Sequence, residues 1–524
     1  MEAGRCRDLR HHRGGGGGRR GRRGPTVKRR APLSRRRESK ASLQPSRRAP
    51  KRRWQRLRRI ALGVLAVVIL VTVVAYLPAG SLTASVSPAR YGPDDQGLSW
   101  LRTDRGRIVD EQGRKVLLRG FNTDALVVYP KSPPAPLDEA DATLMQRAGF
   151  DVVRLGIDWS QLEPVRGRID RAYLERVAGR VAMLNRHGLY VVLDMHFRLG
   201  WSPRFGYSGA PGWATIGVPN WNPLPQYSWS PSLSPASFTS DTYFWLSSDW
   251  KKDFYQTWQA VAARFKDTSG IAGYDIFNEA HPLPIPPRIF DKYYLWPLFK
   301  EAIEAIGAVD PNHLFIVEGI LLLTMNTVVV HLKAPNLVYG THLYEGSLIP
   351  PFWTGDPAFL RQRIQQRVKE AGEVPAPLWL GELGYDLTQN GALSYADAAL
   401  DEADRLGIGW AWWQWRENRW WGIRDAQGET VNEPALRHLA RPYVIAAPGG
   451  IHPGRGDGVQ GSLTIRVDAG HADQPVVIGW SALTLPAPVG RGTCLAGSQW
   501  DATRGRLTLL LDPGVGCELT VRTT

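Results

Sequence analysis

From about residue 99 to residue 445, short apolar runs alternate with longer amphipathic stretches. The runs are Val116–Asn122, Val152–Ile157, Tyr190–His196, Gly273–Glu279, Leu314–Glu318, Leu337–Tyr344, Leu378–Leu383 and Ile408–Trp415. Each is rich in β-branched or aromatic residues and bounded by Gly, Pro or Asn, which is the signature of a buried strand. Between them the apolar spacing predicts helices over Leu137–Ala148, Arg171–His187, Lys252–Lys266, Tyr293–Ile306, Ala358–Ala371 and Tyr395–Leu406. Strands alternating with helices in this number predict an α/β fold, a closed (β/α)8 TIM barrel over residues 99–445. The structural rival is an open doubly wound sheet, whose Gly-rich phosphate loop is missing from Leu118–Asp124. Further on the period changes to two. Ser462–Val467, Pro475–Trp480, Arg506–Leu511 and Cys517–Arg522 alternate apolar and polar residues between Gly/Pro turns. They predict a C-terminal antiparallel β-sandwich domain over residues 446–524.

Upstream of the barrel, Ile60 to Leu77 carry no charge and lead to Pro78. Their length suits a single transmembrane helix; a cleaved signal or a buried core helix are the other readings. The flanks favour the membrane. Charge explains why: residues 1–59 hold 23 Lys+Arg against 3 Asp+Glu, whereas the remaining 465 residues hold 42 and 46. The formal charge of +16 therefore belongs to a tail, and no specific nucleic-acid partner is expected of the near-neutral body. The tail is Gly-, Arg-, Pro- and Ser-rich and reads as a disordered cytoplasmic segment, residues 1–59. By the positive-inside rule the 60–77 anchor then places a 78–98 stalk and the body outside the cytoplasm, at the cell membrane or secreted if cleaved. An oxidising compartment would permit a Cys494–Cys517 disulfide, leaving Cys6 alone in the tail. No Cys/His spacing suits a metal, and no cofactor is expected.

The C-terminal ends of the barrel runs carry chemistry. Arg154, His196, Asn278 with Glu279, His342 with Tyr344, Glu382 and Trp413 fall at or near the ends of six strands, where barrel active sites are built. A polar residue in an apolar strand costs burial energy unless it is paired or faces a cleft. One such residue is usually a satisfied core group; six strands placing theirs at one end point to a site. Two carboxyl groups facing each other across a narrow mouth suit retaining glycoside hydrolysis by double displacement. Glu279 and Glu382 are the candidates, with Arg154 and Tyr344 to keep Glu382 ionised and Asn278 to meet a sugar hydroxyl. His196 and His342 would hold the sugar or position the acid.

This set resembles glycoside hydrolase family five, a cellulase-like family of (β/α)8 glycosidases, over residues 100–445. The resemblance implies that Glu279, in the Asn-Glu pair, is the acid/base and that Glu382, in the Gly-Glu pair, is the nucleophile. Long Pro- and aromatic-rich segments, Phe197–Trp250, Pro282–Trp296 and Leu348–Trp353, follow strands three, four and six. They predict an apolar platform beside the site, and some of the Trp residues crowded between Trp410 and Trp421 are expected to stack on sugar. With the β-sandwich and the Arg441-Pro442-Tyr443 join, this is similar to the endoglycoceramidase branch of that family. The branch has Gln-Asp after the strand-three His where this chain has Phe197-Arg198, and Pro where it has Ala280. The expected substrate is a glycolipid or other amphipathic β-glycoside; the alternatives are an endo-β-glucanase or mannanase, and a non-catalytic carbohydrate-binding envelope protein.

Overall fold

The computed structural model describes residues 49–77, 80–93, 97–130, 133–198, 200–221, 233–281, 284–320, 330–417 and 420–524. The basic tail before Ala49, with Cys6, lies outside the described residues. Ala49–Tyr76 is one helix, and its stretch Trp54–Tyr76 is long and apolar enough to cross a membrane.

Among the described residues of the body, eight parallel strands close into a barrel. They are β1 (Arg119–Thr123), β2 (Val152–Ile157), β3 (Tyr190–Met195), β4 (Ile271–Asp275), β5 (Leu314–Val317), β6 (Leu337–Leu343), β7 (Leu378–Leu383) and β8 (Gly409–Trp412). Neighbours in sequence are neighbours in the barrel, and β8 closes on β1. The helices between them carry their own start signals. Asp138 and Asp141 form a reciprocal capping box at Glu139–Arg147, and Asp170 caps Arg171–Arg186 through Tyr173 N.

Alternation along each strand divides the core. Val153, Leu155 and Ile157 face the helices, whereas Val152 joins Tyr190, Val192, Leu314, Ile316 and Val338 in the apolar floor of the barrel. Two residues on, the inward row turns polar: Val152 is followed by Arg154, Val192 by Asp194 and Ile316 by Glu318. The floor is apolar and the C-terminal end is charged.

The C-terminal segment forms two antiparallel sheets around their own core, which includes Val444, Leu463, Ile465, Ile478, Trp480, Leu507 and Leu519. The four-stranded sheet runs in the order Ile451–Asp457, Ser462–Val467, Cys517–Thr523, Pro488–Arg491. Cys494 and Cys517 are joined by a disulfide. The other sheet has seven strands, three of them from before the barrel: Arg102–Asp104, Arg107–Val109 and Lys115–Val116. This corrects one sequence expectation. The run Val116–Asn122 is not a single strand: Lys115–Val116 pairs antiparallel with Ala446–Ala447, and only Arg119–Thr123 enters the barrel. Leu117 N still donates to Ile445 O, so the chain changes sheets between Leu117 and Arg119.

The expected 78–98 stalk is also partly structured. Ser81–Thr83 pairs with His331–Lys333, and Ala84 is buried. Val86 packs against Gly307, where an added Cβ would meet it at 2.7 Å.

Candidate active site

Arg154, on β2, is fully buried and occupies the centre of the charged end. Its Nε donates to Asp275 at 2.9 Å, one Nη to Glu382 Oε1 at 2.6 Å and to Asn122 at 3.2 Å, and the other to Asn278 Oδ1 at 2.9 Å and close to Asp194 at 3.0 Å. The planar fork suits this role because all five donors stay charged and fixed in direction. Burial alone would lower its pKa, but Asp194, Asp275, Glu382 and Glu318 together raise it well above the ordinary value.

Glu382, on β7, is held from two sides. Oε1 accepts from Arg154, and Oε2 accepts from the Tyr344 hydroxyl at 2.8 Å. The two donors fix the direction of its oxygens. Burial and then the charge of Glu382 push the Tyr344 phenol well above its usual range, so it stays a donor.

Glu279 lies beyond the end of β4, which stops at Asp275 rather than continuing as a strand to Glu279. Its φ of 48° is left-handed, a conformation uncommon for a residue with a side chain. Its amide is fixed by a hydrogen bond to Glu318 Oε1, and its side chain is 22% exposed at the mouth. One of its oxygens lies 3.0 Å from His342 Nδ1. Desolvation by its surroundings raises its pKa, against the lowering charges of His281, His196, Arg154 and Arg198. His342, on β6, lies between the two carboxylates, with Nδ1 also 3.6 Å from Glu382. Burial lowers His342 to about 4, so it is neutral at neutral pH. The three groups bring one donor atom each to within 4.8 Å of one another, so an oxygen of Glu279 and one of Glu382 are no farther apart than that.

His196 Nδ1 donates to Asp194 Oδ2 at 2.8 Å, and the ring stacks on Trp413, with centroids 5.4 Å apart and planes 14° from parallel. Burial would lower its pKa, yet Asp194 and Glu382 raise it overall. Trp413 follows the end of β8 at Trp412 and is half-buried, whereas Trp410, Trp412 and Trp415 are buried in the core. Asn278 donates to Phe197 O at 2.7 Å while accepting from Arg154, which fixes its amide orientation. Asp194, His196 and Glu382 also gather donor atoms within 4.8 Å. The cation there is the Arg154 guanidinium, and a metal ion would have to displace it.

Residues 109–419 match the family model described as Cellulase (glycosyl hydrolase family 5). The chain belongs to glycosyl hydrolase family 5. It is therefore an O-glycoside hydrolase. Endoglycoceramidase I of Rhodococcus hoagii (strain 103S) is 28% identical over 413 residues, which are 74% of this chain and 81% of that relative. Among solved structures, endo-glycoceramidase II from Rhodococcus sp., in a cellobiose-like isofagomine complex, gives a TM-score of 0.70 at 24% identity. That match covers 79% of this chain and 99% of the other. A crystal structure of endogalactoceramidase gives 0.65 at 26% identity, covering 82% and 100%.

In this family 5 chain the sequence reading named eight site residues, and the structure gathers all eight at one end of the barrel. It overlooked four more: Asn122, Asp194, Asp275 and Glu318. Asn122 donates to Gly381 O and Ala411 O, tying β1 to β7 and β8 beneath Glu382. Burial, then repulsion from Asp275 and Glu279, raises Glu318 well above its usual range. Their signal was available: each is a polar residue inside or just after an apolar strand run.

The segments expected to form an apolar platform divide between core and surface. After β3, Phe197, Trp201, Phe244 and Trp245 pack with Phe277 as interlocked core rings. Exposed apolar side chains in these segments include Trp221, Tyr243, Leu246, Tyr293, Leu348 and Phe352. Residues 199, 222–232 and 282–283 of those segments lie outside the described residues.

Proposed function

We propose that this family 5 hydrolase is a retaining β-glycosidase acting on glycolipids or related amphipathic β-glycosides, with Glu279 as acid/base and Glu382 as nucleophile. The observation that carries the reading is the approach of the two carboxyl groups to within 4.8 Å. Retaining enzymes need about 5–5.5 Å between the groups, whereas inverting enzymes leave about 6.5–9.5 Å for a water.

Environment separates the two roles. The raised pKa of Glu279 keeps a proton available for the leaving oxygen. Glu382, held by Arg154 and Tyr344, attacks the anomeric carbon as the bond to the leaving oxygen breaks. In the second step Glu279 takes a proton from water, whose oxygen displaces Glu382 from the sugar. His342 stays neutral between them and orients Glu279 without adding charge.

The glycolipid part rests on two supports: relatives that are endoglycoceramidases, and exposed Tyr293, Leu348 and Phe352 near the mouth. The apolar helix and its Lys/Arg-rich flank support a membrane-tethered enzyme with a cytoplasmic tail over 1–59, a span over 60–77 and the body outside the cytoplasm. Body accessibility to protease from the cytoplasmic side alone would overturn that topology.

The test is a 2-deoxy-2-fluoro aryl β-glycoside, which traps a glycosyl-enzyme of a retaining enzyme. A labelled peptide carrying Glu382, with hydrolysis of the unmodified aryl glycoside falling at least about 10³-fold in Glu382→Gln and in Glu279→Gln, is expected. Label elsewhere, or equal rates in all three proteins, sinks the assignment. Substrate class is tested separately with a panel of glycosylceramides, β-glucans and mannans; preferential release of glycan from polysaccharide favours the glucanase or mannanase reading.

A further inference from the structure

The end of the barrel opposite Glu279 and Glu382 holds two adjoining cavities of about 410 and 340 Å³. Both volumes fall in the ~300–1,000 Å³ range of small-molecule sites. Arg107, Lys115, Leu117, Leu406 and Gly407 line both. Strand register accounts for this row. Val109 pairs with Lys115, so Arg107, two residues before Val109, projects from the same face as Lys115, and Leu117 follows two residues on. The larger cavity continues along apolar walls at Leu378 and Trp379 of β7, Ile408 before β8, and Val368 and Ala371 of the helix Pro357–Glu373.

Cations dominate the junction. Lys115 Nζ donates to Gly407 O at 2.9 Å, at the C-terminus of the helix Ala392–Leu406. That is an ordinary helix-end contact, and it uses one of three ammonium donors. Gly407 has φ of 62°, and a Cβ there would lie 2.4 Å from Nζ, so glycine leaves the ammonium its place. Of the nearby acids, Asp110 pairs with Arg114, Asp404 with Arg119 and Arg441, and Glu402 with Arg405, while Asp104, opposite Arg107 in register, is exposed and lies 4.0 Å from Arg105. Among the described residues, neither Lys115 nor Arg107 has an ion-pair partner. Burial, then the charges of Arg107 and Arg119, lowers Lys115 to about 8. Two neighbouring cations stand where the larger cavity begins, and no carboxylate lines that cavity, so the arrangement is one that an anion would complete.

We propose that these cavities form a second ligand site, for an alkyl phosphate whose head lies between Lys115 and Arg107 and whose chain enters the larger cavity. A doubly charged phosphate monoester matches two cations better than a carboxylate does. The apolar walls then favour an alkyl chain over a bare phosphate.

The full-length protein in lipid nanodiscs is titrated calorimetrically with hexyl phosphate, inorganic phosphate, hexanoate and hexanol. One saturable hexyl phosphate site is expected, with inorganic phosphate and hexanoate at least about fivefold weaker and hexanol not measurable. Lys115→Gln with Arg107→Gln should weaken hexyl phosphate by at least tenfold. Arg107→Gln alone, an exposed change that spares the helix-end contact, should weaken it about threefold and keeps the test valid if the double variant fails to fold. Absence of saturable binding, equal binding of inorganic phosphate, or binding unaltered in Arg107→Gln would overturn the proposal.

Discussion

Two buried arginines on neighbouring barrel strands show what separates a structural ion pair from a reactive one. Arg119 starts β1 at the floor, and Arg154 lies in β2 near the mouth; each is 1% exposed. The Arg119 guanidinium meets one close carboxylate, Asp404 at 2.6 Å, which Arg441 shares, and it covers the Tyr443 ring at 4.7 Å. It ties the barrel to the strand Tyr443–Ala447. Arg154 instead meets Asp194, Asp275 and Glu382 within 3.0 Å. One cation cannot neutralise that many acids in a poorly solvated space, so protons must make up the difference. Burial raises Asp275 to about 7 despite Arg154, and raises Glu318 well above its usual range. Burial first, and then the crowd of acids around one arginine, raises both carboxyls, and they lie at the end of the barrel that carries the mouth. At the floor burial also raises Asp151, which accepts from the Arg119 amide, to about 7, but that carboxyl is buried away from the mouth.

Replacing each arginine by methionine tests that contrast most severely. Arg154→Met should cut kcat/KM for an aryl β-glycoside by about 10³-fold or more, because Glu382 loses its charged partner and its orientation. Arg119→Met should leave kcat/KM within about threefold while lowering stability by about 3–5 kcal/mol, the usual cost of breaking a buried pair. Urea melts with parallel kinetics check both. Similar kinetic losses in the two variants would erase the distinction.

The pH profile sharpens it. An acid with a raised pKa donates only while protonated, so activity should be retained below the Glu279 pKa and fall as pH rises through it. The alkaline limb of kcat/KM should therefore move in His342→Asn, which removes a hydrogen-bond partner of Glu279. It should vanish in Glu279→Gln measured with an activated leaving group that needs no proton.

The contrast also marks how far the sequence could be read. The eight strand runs were legible because each buries β-branched or aromatic residues, and the site residues because they interrupt those runs. Arg154 was recognisable as a site residue by position, yet Arg119 interrupts β1 just as sharply and belongs to the floor. Only three-dimensional charge counting tells the two apart, since Asp404 and Asp275 are far from either in sequence. Asp194 stood out as a polar residue inside an apolar strand, but its partner Arg154 could not be inferred from spacing. The split of Val116–Asn122 between two sheets was equally invisible, because both halves are apolar and no turn residue separates Val116 from Arg119. The aromatic segment after β3 misled for a physical reason: Trp and Phe fill a core and line a groove by the same hydrophobic gain. Only their burial distinguishes Phe197, Trp201 and Phe244 from Phe352.

A smaller effect is expected at Tyr344. Its hydroxyl gives Glu382 one of two charge-assisted hydrogen bonds, worth about 1.5–3 kcal/mol. Tyr344→Phe should lower kcat/KM by about 10–100-fold, well short of Arg154→Met, with little change in stability because the ring is kept.

The smallest effect on catalysis belongs to the sandwich, which lies on the Arg119 side of the comparison. The Cys494–Cys517 bridge closes 23 residues of chain within the antiparallel sheets and contributes nothing to the charged end of the barrel. A loop of that size restricts the unfolded chain by about 3 kcal/mol in the chain-entropy model. Replacing both cysteines by serine should therefore lower the urea midpoint while kcat/KM stays within about twofold. If kcat/KM fell in proportion to stability, the two ends of the barrel would be coupled through Arg119 and Tyr443. The floor would then belong to the catalytic machinery rather than merely carry it.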